Sequence, residues 1–197
     1  MLYYKQLIST NALSKCNLGD IASIIMGQSP SGSSYNEEGK GLVFYQGRTD
    51  FGFRFPTRRV YTTKPKKIAE KNDVLLSVRA PVGDINVANE SCCIGRGLCA
   101  LRSLYSTPSF LYYTMDSLRP QLNQFNGGGT IFGSINQASL NSLQIHIPAF
   151  EQIKSFETKV APLDAMIMNN NNEILRITSL RDFLLPRLMS GEIPIEN

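Results

Sequence analysis

The sequence predicts an α+β fold: a mixed domain of short twisted strands and helices over residues 1–148, then a long coiled-coil-forming C-terminal helix over 149–197. Three observations carry that reading. Ahead of Pro148, short apolar segments repeat at the strand period and are cut apart by Gly, Ser, Asn and Pro. In the same region, one segment opening at Ser106-Thr107-Pro108 has helical spacing. After Pro148 the apolar residues change to a 3-4 spacing that persists almost to the end of the sequence.

In chain order, residues 27–41 read as a Ser/Gly/Asn loop and 42–45 as a strand. The stretch 73–98 is the most legible. Val74, Leu76 and Val78 alternate as a strand with one buried face, Pro81 and Gly83 mark a turn, and Ile85 and Val87 resume the alternation, so a hairpin return is expected. Ile94 and Leu98 then flank Gly95-Arg96-Gly97, where a glycine on each side of a cation lets the backbone bend or be approached closely. Arg79 and Arg96 both sit beside such punctuation. They either hold the hairpin by bonding carbonyls or a carboxylate, or face a ligand. A strand is expected over 98–101, and a helix carrying Phe110, Leu111, Tyr113, Thr114 and Leu118 on helical spacing closes near Pro120. The loop Asn126-Gly127-Gly128-Gly129-Thr130 lacks the Gly-Lys-Ser/Thr of a phosphate-binding loop.

Beyond Pro148, Ile153, Phe156, Val160, Leu163, Ile167, Asn170, Ile174, Ile177, Arg181, Leu184 and Leu188 form a coiled-coil seam. Asn170 and Arg181 interrupt it, and a buried Asn fixes register and partner number at some cost in stability. The same pattern fits a helix packed on its own domain. Pro162 removes a helical hydrogen bond, so a kink or fresh start is expected near Ala161. At roughly 1.5 Å per residue the helix is about 54 Å long from Phe150 to Leu185, or about 36 Å from Pro162.

With 197 residues the chain has room for one substantial core plus a helical appendage. No apolar run approaches the roughly 18 residues of a membrane span, and the N-terminus lacks the pattern of a secretory signal, so a soluble, cytoplasmic protein is expected. The cysteines Cys16, Cys92, Cys93 and Cys99 lack zinc-site spacing and suit a reducing compartment as free thiols. No metal or cofactor is expected. His146, the single histidine, lies in an alternating apolar strand and reads as a space-filling residue. No methyltransferase tetrad, dinucleotide fingerprint or nucleophile-His-carboxylate set is present, and the Glu38-Gly39-Lys40 triplet lies in a loop, where a nuclease arrangement would need a strand.

The net charge of +4 is uneven. Residues 149–197 carry five Lys/Arg against seven Asp/Glu, which leaves +6 in residues 1–148. Segment 48–71 accounts for that whole excess, with eight cations against Asp50 and Glu70. Aromatics Phe44, Tyr45, Phe51, Phe53, Phe55 and Tyr61 run through it, a mixture suited to phosphates and bases. A solvated basic face over core aromatics is the plainer alternative. For base edges the candidates are Gln28, Gln46, Arg48, Arg54 and Arg58, because Arg pairs with guanine and Gln with adenine in two places. Ser29, Ser31, Thr49, Lys64, Lys66 and Thr130 are candidates for phosphate, and Arg79 completes the DNA-binding set.

The stretch 73–98, read as Asp-Val-Leu-Leu-Ser-Val-Arg-Ala-Pro-Val-Gly and, after a gap, Cys-Cys-Ile-Gly-Arg-Gly, resembles the signature of the target recognition domain in specificity subunits of type I restriction-modification systems. The resemblance extends to Leu18-Gly19-Asp20-Ile21-Ala22, Gly27-Gln28-Ser29-Pro30-Ser31, Ser134-Ile135-Asn136, Leu143-Gln144-Ile145-His146-Ile147-Pro148 and Phe150-Glu151-Gln152. It closes on the run from Leu180 to Ile193, so residues 18–193 are covered in the family's order.

What the resemblance implies is a non-catalytic reader of double-stranded DNA that directs a methyltransferase (modification) subunit and a restriction/translocase subunit to a bipartite site. The family's usual subunit carries two recognition domains and two helical spacers, whereas one of each is present here. A homodimer paired through Ile153, Phe156, Val160, Leu163, Ile167, Asn170, Ile174, Ile177 and Leu184 would restore the missing half and read inverted half-sites. Two alternatives remain: a truncated interaction protein that captures methyltransferase subunits without productive DNA reading, and a self-contained DNA-modifying enzyme.

Overall fold

Burial on both faces, where the alternation of Val74, Leu76 and Val78 leads one to expect burial on one, organises the centre of the molecule. The computed structural model describes residues 2–126 and 133–192, which fall into two compact units, Met1–Lys159 and Val160–Asn197. The first unit contains α1 (Leu2–Thr10), β1 (Ser14–Asn17), β2 (Ala22–Met26), β3 (Tyr35–Asn36), β4 (Leu42–Tyr45), β5 (Tyr61–Thr62) and β6 (Ile68–Ala69). There follow β7 (Val74–Ser77), β8 (Ile85–Val87), β9 (Cys92–Ile94), β10 (Leu98–Ser103), α2 (Pro108–Ser117), α3 (Arg119–Leu122), α4 (Gln137–Asn141) and β11 (Gln144–Ile147). The long helix α5 (Phe150–Met189) begins in this unit and supplies the second. Mixed strands and helices with a long terminal helix are the architecture expected.

Among the described residues the strands form three sheets. One is antiparallel in the order β2-β10-β7-β8, a second runs β3-β5-β4-β9-β6, and β1 pairs with β11. The expected hairpin is β7-β8, with Val74 opposite Val87 and Leu76 opposite Ile85. Its residues are buried throughout because both sides are covered. Leu75, Leu98 and Ala100 join Val43, Tyr45 and Ile94 of the second sheet in one apolar cluster. Helix α2 lies against β7, β8 and β10. Burying an apolar side chain of this size contributes roughly 1.5–3 kcal/mol, so this cluster anchors the unit.

Polar residues within this core are engaged at its joints. Asp73, 3 % exposed, takes two hydrogen bonds from Arg102, at 3.0 and 2.8 Å, and one from the Glu70 amide at 2.8 Å. That pairing ties the start of β7 to the end of β10. The Ser77 hydroxyl donates to Pro81 O and accepts from the Asp84 amide, which closes the turn where Gly83 takes a φ of +106°. Buried Asn86 exchanges two bonds with the Gly52 backbone and so pins the 48–56 loop.

Helix α2 starts at Pro108 as expected, and its first free amides, Ser109 and Phe110, donate to the two carboxylate oxygens of Glu157 at 3.1 and 2.9 Å. Tyr4 of α1, Phe110, Tyr113 and Phe156 form an aromatic cluster with ring centroids 5.9–6.4 Å apart. Helix α1 itself is not foreseen from the sequence. His146 is exposed on β11 opposite Lys15, which corrects the space-filling assignment: Ile145 takes the inward phase and its neighbour must point out.

The fresh start expected at Pro162 does not occur, since α5 is helical from Phe150 to Met189 with Pro162 inside it. A proline already has the helical φ, and the rest of the hydrogen-bond ladder carries the helix past the one bond it lacks. In the first unit, Ile153 and Phe156 are buried. The second unit is helical from Val160 for thirty residues, about 45 Å at 1.5 Å per residue. Among its seam positions Val160 is buried, Ile167 and Leu184 are half-buried, and Leu163, Asn170, Ile174 and Ile177 are exposed. Among the described residues no helix is long and apolar enough to cross a membrane, and no cluster of three His, Cys, Asp or Glu could hold a metal ion.

Candidate nucleic-acid interface

Parallel pairing of β4 with β9, Phe44 opposite Cys93 and Tyr45 opposite Ile94, makes both strands end at the same place. The loops that follow them, 46–48 and 95–97, therefore leave side by side. Gly95 N–H donates to Tyr45 O at 2.8 Å and Gly97 N–H to Gln46 O at 3.1 Å. A third loop joins them from β2, with Gly27 N–H donating to Leu98 O and Gln28 N–H to Ile94 O, both at 2.9 Å.

The glycines of Gly95-Arg96-Gly97 make this convergence possible. A Cβ on Gly95 would stand 2.9 Å from Gln46 Cα, and one on Gly97 would stand 2.8 Å from Gln46 O. Both are closer than real Cβ contacts, and backbone is what they would meet. With Gln46 filling the space between the glycines, Arg96 is exposed. Its amide donates to Ser29 Oγ at 3.3 Å, and Ser29 Oγ donates to Gln46 Oε1 at 3.0 Å.

Arg79 belongs to the same surface. The backbone beside it pairs with 133–135, through Ala80 N–H to Gly133 O at 3.0 Å and Ile135 N–H to Val78 O at 3.1 Å. Arg79 and Arg96 line one concavity of about 410 Å³ with Gly27, Ser134 and Asn136. Among the described residues no carboxylate lines it. Neither guanidinium has a carboxylate or carbonyl partner among the described residues, so the hairpin-holding alternative finds no bond to support it.

The arginines of segment 48–71 are placed differently. Arg48 pairs with Asp84 at 2.6 Å, Arg58 with Glu90 at 2.5 Å, and Arg59 with Asp50 at 2.8 Å. The hydrogen bond from Arg58 to Glu90 holds that guanidinium above its usual range, and Asp50 does the same for Arg59. Arg54 is buried, with its guanidinium carbon 3.8 Å from the Tyr112 ring centroid and Nη1 donating to Tyr113 Oη at 3.3 Å. It is therefore placed in the interior and is out of reach of a base edge. Lys64, Lys66 and Lys67 are exposed and have no carboxylate partner among the described residues.

Of the remaining candidates, Gln28, Gln46, Ser31 and Thr49 are exposed or half-buried, as is Ser29. Ser31 Oγ is engaged with Ser33 Oγ at 2.9 Å. Thr130 and the triple glycine lie outside the described residues. Gln28, Ser29, Gln46 and Arg79 thus gather around Arg96, a residue that the sequence alone left between a backbone role and a ligand. The signal for it was the glycine on either side.

The family model described as type I restriction modification DNA specificity domain matches residues 13–178. The chain is 37 % identical over 175 residues to the putative type I restriction enzyme MjaX specificity subunit of Methanocaldococcus jannaschii, covering 88 % of this chain and 41 % of that protein. It is 26 % identical over 186 residues to the type I restriction enzyme HindI specificity subunit of Haemophilus influenzae, covering 89 % and 40 %. The chain spans less than half the length of these relatives. Among solved structures, the HsdS subunit from Thermoanaerobacter tengcongensis superimposes with a TM-score of 0.68 at 33 % identity, over 98 % of this chain and 50 % of that one. The S subunit of a type I restriction-modification system from M. genitalium shares the fold, with a TM-score of 0.67 at 20 % identity over 92 % of this chain and 46 % of that one.

Proposed function

The chain belongs to the family of type I restriction modification DNA specificity domains, and from that premise we propose that it reads double-stranded DNA for a modification and restriction complex. The single observation that carries this reading is the convergence of three loops around two guanidiniums with no carboxylate partner among the described residues. A surface built to leave cations unpaired, beside exposed amides and hydroxyls, suits phosphates and base edges. Residues 1–148 act as the recognition domain and 149–197 as the helical spacer. Chemistry then falls to partner methyltransferase and restriction/translocase subunits, and this chain is their address reader.

The state in which it reads is a homodimer. Leu163, Ile174 and Ile177 are 57–63 % exposed in the second unit, and Met166, Leu180 and Phe183 add more than half-exposed apolar surface. Such a helix gains by pairing with a second copy, which supports a two-fold assembly on inverted half-sites. Capture of methyltransferase subunits without reading would use the helix alone and would need no open Arg79 and Arg96.

Mapping adenine methylation in cells carrying the methyltransferase partner, with and without this chain, tests the proposal. The expected motif is two inverted, identical half-sites around a spacer. An unchanged methylation map contradicts DNA reading, and an asymmetric motif contradicts the homodimer. Light scattering supplies the physical counterpart, since Ile167→Asp should turn a dimer into a monomer. Wild type that stays monomeric, alone and with its methyltransferase partner, contradicts the pairing.

A further inference from the structure

We propose that Gln46 reads an adenine in the major groove and that Ser29 is the positioning residue that orients it. The inference rests on the DNA-reading function above and deepens it to one base. Its starting point is the chain of hydrogen bonds from Arg96 N–H to Ser29 Oγ and from Ser29 Oγ to Gln46 Oε1. The Ser29 hydroxyl accepts from Arg96 N–H on one lone pair and donates its proton to Gln46 Oε1. That assigns the oxygen of the carboxamide to the Ser29 side. Nε2, with both its protons, is left to the solvent side of an exposed residue.

The backbone of Gln46 is equally constrained. Gly97 N–H holds its carbonyl, Gly95 N–H holds the carbonyl of Tyr45 just before it, and the bare Cα atoms of both glycines lie against it. Backbone and side chain are thus fixed before any ligand arrives, which lowers the ordering cost of binding. The pattern presented is one donor beside an oxygen with a lone pair still open. Adenine offers the complement in the major groove, N7 to accept and the N6 amino group to donate. Gln28, in the neighbouring loop, has no side-chain hydrogen bond among the described residues and lacks this preparation.

Selection of the full-length chain on a random-sequence duplex pool, followed by sequencing, tests the assignment. Wild type should enrich a motif containing an adenine that Gln46→Ala degenerates, with a drop in preference of roughly 5- to 150-fold, the size of one bidentate pair. Gln46→Glu should move that position toward cytosine, whose amino group donates to a carboxylate. Ser29→Ala should blur the same position and no other, and Ser29→Thr should restore it. Both residues are at the surface, and thermal melts verify that the variants fold. A wild type that enriches no motif would overturn DNA reading itself. A wild-type motif that survives Gln46→Ala at every position, or that weakens uniformly, overturns the role of Gln46 while leaving DNA reading intact. A Ser29→Ala motif identical to wild type overturns the positioning role.

Discussion

Segment 48–71 holds four arginines and stretch 73–98 holds two, yet the smaller set is the one left open to a ligand. Arg48, Arg58 and Arg59 are each bound to a carboxylate, and Arg54 lies over an aromatic ring inside the domain. Arg79 and Arg96 have no such partner among the described residues. The difference is one between charge counted and charge available. A guanidinium already bonded to Asp or Glu offers DNA little net potential, whereas an open one releases condensed counterions when it meets phosphate. The lysines of the basic segment, Lys64, Lys66 and Lys67, keep that capacity, and its arginines mostly organise the loop that carries them.

The stretch 73–98 is itself divided between scaffold residues and the proposed DNA-facing surface, and the sharpest way to separate the two is by stability. Asp73→Ala removes a buried carboxylate that serves Arg102 and the Glu70 amide, and should cost about 3 kcal/mol in urea unfolding. Arg79→Ala, at an exposed and unpaired position in the same stretch, should stay within about 0.5 kcal/mol. Equal destabilisation would mean that Arg79 is part of the scaffold.

A pH-dependent effect follows from the thiols, which segment 48–71 does not contain. Burial pushes the Cys92 thiol up to about 12, with Asp73 adding to the shift, and burial also raises Cys93 and Cys99. Near pH 9 the unfolded chain loses these protons while the folded chain keeps them. Stability is therefore full below pH 9 and falls as pH rises toward 12, by about 1.4 kcal/mol per pH unit for each thiol still protonated only in the fold. Unfolding curves at pH 8, 9, 10 and 11 check this, and Cys92→Ala should make the decline shallower by one such contribution. A flat profile would contradict the burial of these groups.

How much of this was legible depends on sequence distance. The β7-β8 hairpin is local, and Pro81, Gly83 and the apolar pattern announce it. Helix α2 and the long terminal helix announce themselves by spacing. The parallel pairing of β4 with β9 joins residues about fifty positions apart, and nothing in either strand names its partner. The same holds for the arginines, since Arg48 meets Asp84 and Arg58 meets Glu90 across more than thirty residues. Composition shows a basic segment, and only the fold shows which of its cations are already neutralised. His146 and Arg54 were misplaced for a related reason: the phase of a short strand and the inward turn of a loop are both decided by packing. In the seam, the apolar spacing is uniform from Ile153 to Leu188, so the change from buried Phe156 to exposed Ile174 could not be read from it.

The claim that the open arginines engage the DNA backbone is tested most directly by the salt dependence of duplex binding. Affinity should be measured across a series of salt concentrations for wild type, Arg79→Ala/Arg96→Ala and Arg48→Ala/Arg58→Ala. The expected result is a log-log slope that shallows by roughly 0.9 for each phosphate that the first double variant no longer neutralises, and that stays near wild type in the second. A slope unchanged in the first double variant and shallower in the second would contradict the account.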